Sequence, residues 1–250
     1  MKEFCGKIGA CHYKFSNKQK VTDFLASIEL KSLIISASNL YIFPSCIVTK
    51  TNFKIINYHN ALLPSYPGRN AESWVIFNQE KKTGITWHEV SAEIDAGGVI
   101  IQETIPITDD AKAYELFQQC FVIGHKCFEK IIGDILIDKY MSIVPQIKEE
   151  GRKIYLSSEI PNNGLFDLTM YPSDIYRLLR SMDYAGLPIM PLLKTRLFGQ
   201  EYEICKYSKI PHIVSQEELL TISVVDEKED KVEVCMKYND TYDLKIMMQR

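Results

Sequence analysis

The sequence predicts an α/β core followed by a mostly β region, and three observations carry that prediction. Short apolar runs over residues 32–37 and 54–58 read as buried strands. Further on, Leu116, Phe117, Cys120, Phe121, Cys127, Phe128, Ile131, Ile132 and Ile135 recur at helical spacing, the apolar stripe of one long helix. Past residue 200 the pattern turns β-like over 201–207, 219–225, 231–238 and 241–247, with Asn239-Asp240 as a hairpin turn between the last two runs.

In chain order, residues 1–30 carry the least pattern; within them 20–30 show a short helical repeat through Val21, Phe24, Leu25 and Ile28. The strand at 32–37 leads into a loop over 38–44. Strand 54–58 delivers Asn57 and His59 two residues apart, so both side chains leave the same face of the pleat. Leu62-Leu63-Pro64 and the Pro67-Gly68 turn then end that strand abruptly. Residues 71–79 form a short helix that brings Trp74, Val75 and Ile76 to the sheet, and Lys81-Lys82 make a solvated turn. Two more strands follow at 83–90 and 99–107, joined by a tight turn, Ile94-Asp95-Ala96-Gly97-Gly98, that holds one carboxylate.

Thr108, Asp109 and Asp110 offer cap oxygens and first-turn negative charge to the long helix. Cys120 and Cys127 lie seven apart on its apolar face and read as core, while His125 sits beside the stripe without a role. Pro145 and Glu149-Glu150-Gly151 mark a boundary, which divides the chain into 1–144 and 145–250. Beyond it, Ser173-Asp174 cap a helix through Ile175, Leu178 and Leu179.

Composition excludes several classes. Twenty-nine basic against 32 acidic residues give a net charge of −3, with no run of like charge that would mark a nucleic-acid tail. The first ten residues are too polar for a secretory signal, and no segment approaches the roughly 18 apolar residues that span a bilayer. Seven cysteines, odd in number and without zinc-site spacing, fit a reduced, cytoplasmic protein.

An amide and an imidazole at the C-terminal end of a strand, where α/β sheets bind ligands, define the candidate site. Taken singly, Asn57 would be a turn former, His59 a packed residue, and Asp95 a turn residue with an Asx-type hydrogen bond. Together and in order, Asn57-x-His59, Leu62-Leu63-Pro64-x-x-x-Gly68, Thr83-Gly84-x-Thr86-x-His88 and Asp95-x-Gly97 resemble the formyltransferase family that uses N10-formyltetrahydrofolate. The resemblance covers residues 31–107 well. It implies a Rossmann-like core, shortened at the N-terminus, with a small, mostly β C-terminal domain for which an OB-like form is one expectation. Family members usually carry two further strand–helix units ahead of this point; the sequence has no room for them, so either the sheet is cut down or the start codon has been placed late.

The resemblance implies Asn57, His59 and Asp95 as the catalytic residues. Leu40, Tyr41 and Ile42, with Glu93 and Ile94, would hold the folate. Tyr66, Gly68 and Arg69 would face the acceptor, Arg69 meeting a phosphate or carboxylate or else being an ordinary surface arginine. The loop at 38–44 would wall the pterin ring, or else simply connect strand to helix. The chemistry suits the residue types. Formyl transfer to an amine collects negative charge on the formyl oxygen and moves protons off the amine and onto the folate nitrogen. Asn57 offers an uncharged donor to that oxygen; His59 can donate to it or take the amine proton; Asp95 can orient His59 and help collect that proton. His88 supports the site. No metal is required and none is signalled. Where the family often places Pro or Gly and then Ser after the histidine, this chain has Asn60-Ala61, which reshapes the acceptor pocket.

For the acceptor, the charge balance past residue 144, 14 basic against 17 acidic, argues against methionyl-tRNA, whose holding domain should be positive. A nucleotide-linked amino sugar is the expected acceptor; an amino acid, a carrier-bound amine or methionyl-tRNA are alternatives, as is a truncated, non-catalytic relative that binds folate or a partner. A sheet with an open edge tends to pair with another copy, which predicts a homodimer.

Overall fold

The computed structural model describes residues 1–142, 153–212, 220–226 and 230–250. The helices are α1 (Lys2–Lys7), α2 (Lys18–Ser27), α3 (Ser45–Val48), α4 (Ala71–Phe77), α5 (Ala113–Leu136) and α6 (Pro172–Met182). Among the described residues nine strands accompany them: β1 (Ser32–Ser36), β2 (Phe53–His59), β3 (Lys82–Glu89), β4 (Val99–Pro106), β5 (Lys194–Leu197), β6 (Gln200–Pro211), β7 (Leu220–Asp226), β8 (Lys231–Lys237) and β9 (Tyr242–Gln249).

The first sheet runs β1-β2-β3-β4, with β1 parallel to β2 and the other two pairs antiparallel. Its register sets Asn57 of β2 between Ser36 of β1 and His88 of β3, so three polar side chains line up across three strands. The second sheet runs β5-β6-β9-β8-β7 and is antiparallel throughout. An α/β core and a separate, mostly β C-terminal region are thus what the hydrophobic pattern predicts.

The long helix α5 covers β3 and β4. Leu116, Cys120, Cys127, Ile131 and Ile135 are buried against them, and the Trp87 indole N–H donates to the Gly124 carbonyl at 2.9 Å. Phe121 lies outside this stripe, half exposed. Helix α6 buries Ile175, Leu178, Leu179 and Met182 and packs on α4 and α5. One contiguous buried cluster therefore runs from Ile56 to Met248 through both sheets. Polar ties reinforce it: the Tyr207 hydroxyl donates to Asp183 at 2.7 Å, Lys112 pairs with Asp183 at 2.9 Å, and Asp110 accepts from Tyr176 at 3.1 Å and from Lys209.

Two capping expectations are corrected. Helix α5 begins at Ala113, and the Glu115 carboxylate accepts from the Lys112 N–H at 3.0 Å. Thr108, Asp109 and Asp110 lie ahead of the helix, where Asp110 accepts from Tyr176 and Lys209 instead of from a helix N–H. In α6, Pro172 takes the first helical position after Tyr171, a place its fixed φ suits. Ser173 and Asp174 thus fall inside the first turn, where Asp174 pairs with Arg177 at 3.0 Å. Strand β5 is too short to show a pattern of its own. The expected boundary at Pro145 and Glu149-Glu150-Gly151 lies outside the described residues, as does residue 219 of one expected strand. Among the described residues no helix is long and apolar enough to cross a membrane.

Candidate active site

Strand β2 carries Asn57 and His59 to the end of the sheet, and the chain must then turn at once. Thr86, fully buried on β3, enforces the turn. Its hydroxyl donates to the Ala61 carbonyl at 2.6 Å and accepts the Leu63 N–H at 3.1 Å and Gln102 Nε2 at 2.9 Å. This is the physical content of the Thr-Gly-x-Thr motif: one hydroxyl pins the segment that follows His59. The Leu63–Pro64 peptide in that segment is cis.

Asn57, His59 and Asp95 come together as expected, and His88 joins them. His59 is 7 % and His88 2 % exposed. His59 Nδ1 stands 3.6 Å from Asp95 Oδ2, and His88 Nε2 stands 3.6 Å from Asp95 Oδ1, so the carboxylate lies between two imidazoles. Both rings are oriented by carbonyls, which only accept. His59 Nε2–H donates to the Tyr66 carbonyl at 2.8 Å, leaving Nδ1 towards Asp95. His88 Nδ1–H donates to the Glu89 carbonyl at 2.8 Å, so in the neutral ring Nε2 accepts from Asn57 Nδ2 at 3.1 Å. Asn57 Nδ2 also reaches the Tyr58 carbonyl at 3.2 Å, and Asn57 Oδ1 accepts from the Ser36 hydroxyl at 2.7 Å.

Asp95 adopts φ +49°, and Gly97 follows because a Cβ there would sit 1.8 Å from the Glu89 carbonyl oxygen. The Gly68 N–H donates to Asp95 Oδ2 at 2.7 Å. Burial pushes the Asp95 carboxyl up. The His59 charge, His88 and the Gly68 N–H together outweigh burial and hold it well below the usual carboxylate range. An ionised carboxylate, two oriented imidazoles and an amide can move a proton and stabilise a developing oxyanion.

The other expected site residues fall as follows. Leu40 and Ile42 project from the loop after β1, 71 % and 60 % exposed, and Ile94 is 36 % exposed beside Asp95. Tyr41 donates or accepts with Thr22 at 2.8 Å. Glu93 lies in the turn before Asp95, its carbonyl accepting from the Ser91 hydroxyl at 3.0 Å. That loop joins the site through polar contacts: Asn39 Nδ2 donates to Ser36, and Ser36 to Asn57. Tyr66 contributes its carbonyl; its phenol is turned to Glu80 at 2.7 Å and Asn78 at 3.1 Å. Gly68 contributes its N–H, and Arg69 uses its N–H on the Tyr155 carbonyl at 2.9 Å. Ser36 and Tyr155 were not legible as site residues. A serine ending a strand has no motif of its own, and Tyr155 acts on the loop through its backbone.

An amide, two imidazoles and a carboxylate thus converge at a strand end of an α/β core. Over residues 10–132 the chain matches the formyl transferase family. It is 27 % identical over 173 residues to GDP-perosamine N-formyltransferase of Brucella melitensis, covering 69 % of this chain and 64 % of that one. It is 30 % identical over 197 residues to methionyl-tRNA formyltransferase of Mycoplasma capricolum, covering 79 % of this chain and 59 % of that one. The chain thus spans less than two thirds of either relative's length. In fold it resembles the N-formyltransferase of Helicobacter canadensis solved with folinic acid and dTDP-3-aminofucose, at a TM-score of 0.67 and 18 % identity, over 99 % of this chain and 82 % of that one.

Proposed function

We propose that this protein is an enzyme that transfers the formyl group of N10-formyltetrahydrofolate to a primary amine, the amino group of a nucleotide-linked sugar. The observation that carries this reading is the placement of Asp95 between His59 and His88, with Asn57 bonded to His88. The amine nitrogen attacks the formyl carbon. His59, held by Tyr66 at Nε2, turns Nδ1 to Asp95, and the pair together takes up a proton there. Asn57 keeps Nδ2 on His88 and redirects its second N–H from the Tyr58 carbonyl towards the formyl oxygen as charge collects on it. The bond from the formyl carbon to the folate nitrogen then breaks. The amine proton passes to the Asp95–His59 pair, which then gives that proton to the departing nitrogen.

Solvent-facing apolar side chains at Leu40, Ile42 and Ile94 suit a flat pterin ring, and the Asn39–Ser36–Asn57 contacts join that loop to the reacting groups. Arg69, next to Gly68, suits an acceptor phosphate. The Brucella and Helicobacter proteins, whose names and ligands involve nucleotide-linked amino sugars, support the sugar over other amines. Methionyl-tRNA is the second reading, favoured by the Mycoplasma relative and opposed by the net negative charge past residue 144. Residues 1–144 form the catalytic core on this reading, and 145–250 the C-terminal domain. Cytoplasmic location fits the seven free cysteines. A homodimer fits β1, an edge strand with Ile35 half exposed.

The test is formyl transfer to a panel of nucleotide-linked 3-amino and 4-amino sugars, free amino acids and methionyl-tRNA. Turnover on one sugar, reduced about 10²- to 10³-fold in His59→Ala, is the expected result. Folate binding by a folded protein with no turnover on any amine would replace this reading with a binding protein.

A further inference from the structure

The two groups assigned to proton transfer are oriented by one short loop. The Tyr66 carbonyl holds His59 Nε2–H, and two residues later the Gly68 N–H holds Asp95. This loop does not settle into that shape unaided: Tyr66 has φ +54°, an unfavourable region for a residue with a side chain, and Gly68 has φ +101°. Something outside the loop must hold it.

We infer that Tyr155 is a positioning residue for the His59–Asp95 pair, acting through the backbone of residues 66–69. The Tyr155 N–H donates to the Pro67 carbonyl at 2.9 Å, and the Tyr155 carbonyl accepts the Arg69 N–H at 2.9 Å. Gly68 lies between these two bonds, so close that a Cβ on it would stand 2.2 Å from the Tyr155 carbonyl oxygen. The ring sets where this backbone sits. It stacks on Tyr66 at 5.5 Å and 17° and packs on Trp74 at 4.7 Å. Lys153 lies over both the Tyr155 and Trp74 rings, at 4.6 and 4.9 Å. Tyr155 thus clamps the loop at its backbone and at the Tyr66 ring together. It lies beyond residues 10–132, so this orientation of the site is supplied from outside the matched family segment.

The activity part of this inference rests on the proposed function; the structural part does not. The test compares Tyr155→Leu, which keeps apolar bulk and loses the stack, with Tyr155→Phe, which keeps the ring. Two readouts are taken: the Gly68 amide and His59 ring-nitrogen resonances in isotope-labelled protein, and formyl transfer against pH. In Tyr155→Leu the Gly68 amide proton should lose its carboxylate-bonded shift, and the His59 ring nitrogens should lose the shift set by the Nε2–H bond to the Tyr66 carbonyl. The rate should fall about 10- to 100-fold with KM within about threefold. Tyr155→Phe should match the wild type within about twofold in rate and in both signals. Lys153→Met, an exposed substitution that keeps the fold, should move the same signals in the same direction by less. Unchanged Gly68 and His59 signals in folded Tyr155→Leu protein would overturn the inference, as would a Phe variant as impaired as the Leu variant. If the wild type transfers no formyl group, the proposed function fails, while the resonances still decide whether Tyr155 positions the pair.

Discussion

His88 Nε2 accepts the Asn57 Nδ2–H at 3.1 Å while its other nitrogen is fixed on the Glu89 carbonyl. An amide has two ends, and this bond decides which one faces the reacting atoms: with Nδ2 on His88 and Oδ1 on Ser36, Asn57 cannot turn over without breaking both contacts. Removing the imidazole frees the amide. His88→Ala should therefore lower formyl transfer about 10- to 100-fold while folate binding stays within about threefold. His88→Asn, which can still accept from Asn57, should recover part of the loss. Steady-state kinetics on the three proteins decides it, and an alanine variant with wild-type kcat would remove His88 from the site.

Gly97 sets where Asp95 points. A methyl group there would stand 1.8 Å from the Glu89 carbonyl oxygen, which is backbone of β3 and cannot swing aside. Gly97→Ala should move the Asp95 turn and destabilise the protein by about 1–3 kcal/mol through overpacking. Activity should fall further than stability explains, because the turn carries the carboxylate. Urea unfolding beside kinetics at a temperature where both proteins are folded separates the two effects.

The site was legible wherever function needs a side chain of one type at one spacing. Asn57, His59 and Asp95 were legible as an ordered set and not singly, and the strands that hold them were legible too, since buried strands read as apolar runs. Backbone groups do not announce themselves: a carbonyl like that of Tyr66, which orients His59, is present in every residue, and an N–H like that of Gly68, which holds Asp95, in every residue but proline. Tyr66 was expected to face the acceptor; its carbonyl holds His59, and its ring stacks on Tyr155, a contact 89 residues distant in sequence. Helix starts were misplaced for a related reason. Asp110 has the composition of a cap, but Tyr176 and Lys209 compete for it from the far end of the chain.

Asp95 should also govern stability in acid. Its carboxyl is held below the ordinary value of 3.8 in the folded protein, so the unfolded chain binds its proton first as pH falls. The stabilisation it contributes is complete above about pH 4 and is lost as pH drops through the folded value. Asp95→Asn should therefore be less stable than the wild type near neutrality, with the gap narrowing steadily below about pH 4. Denaturation midpoints of both proteins from pH 2 to 7 measure this, and a constant gap would show that Asp95 gains no ionic stabilisation on folding.

Glu72 should act in the opposite sense. It lies in the first turn of α4, 4 % exposed, accepting from Asn60, the residue after His59. Burial raises its carboxyl to about 7, against the pull of the helix backbone N–H, Asn60 and Tyr184. Since the folded value exceeds the ordinary 4.5, the folded protein holds a proton that the unfolded chain releases between these limits. Stability should thus decline as pH rises from about 4.5 to about 7 and then level off, by up to about 3 kcal/mol. Glu72→Gln keeps a side-chain oxygen to accept from Asn60 and Tyr184 but has no proton to lose. Relative to the wild type, this variant should gain stability across that interval and hold the gain at pH 8. Parallel stability curves for the two proteins would mean that Glu72 ionises in the fold as readily as in water. The expected divergence would instead identify a neutral acid beneath the strand end that carries His59.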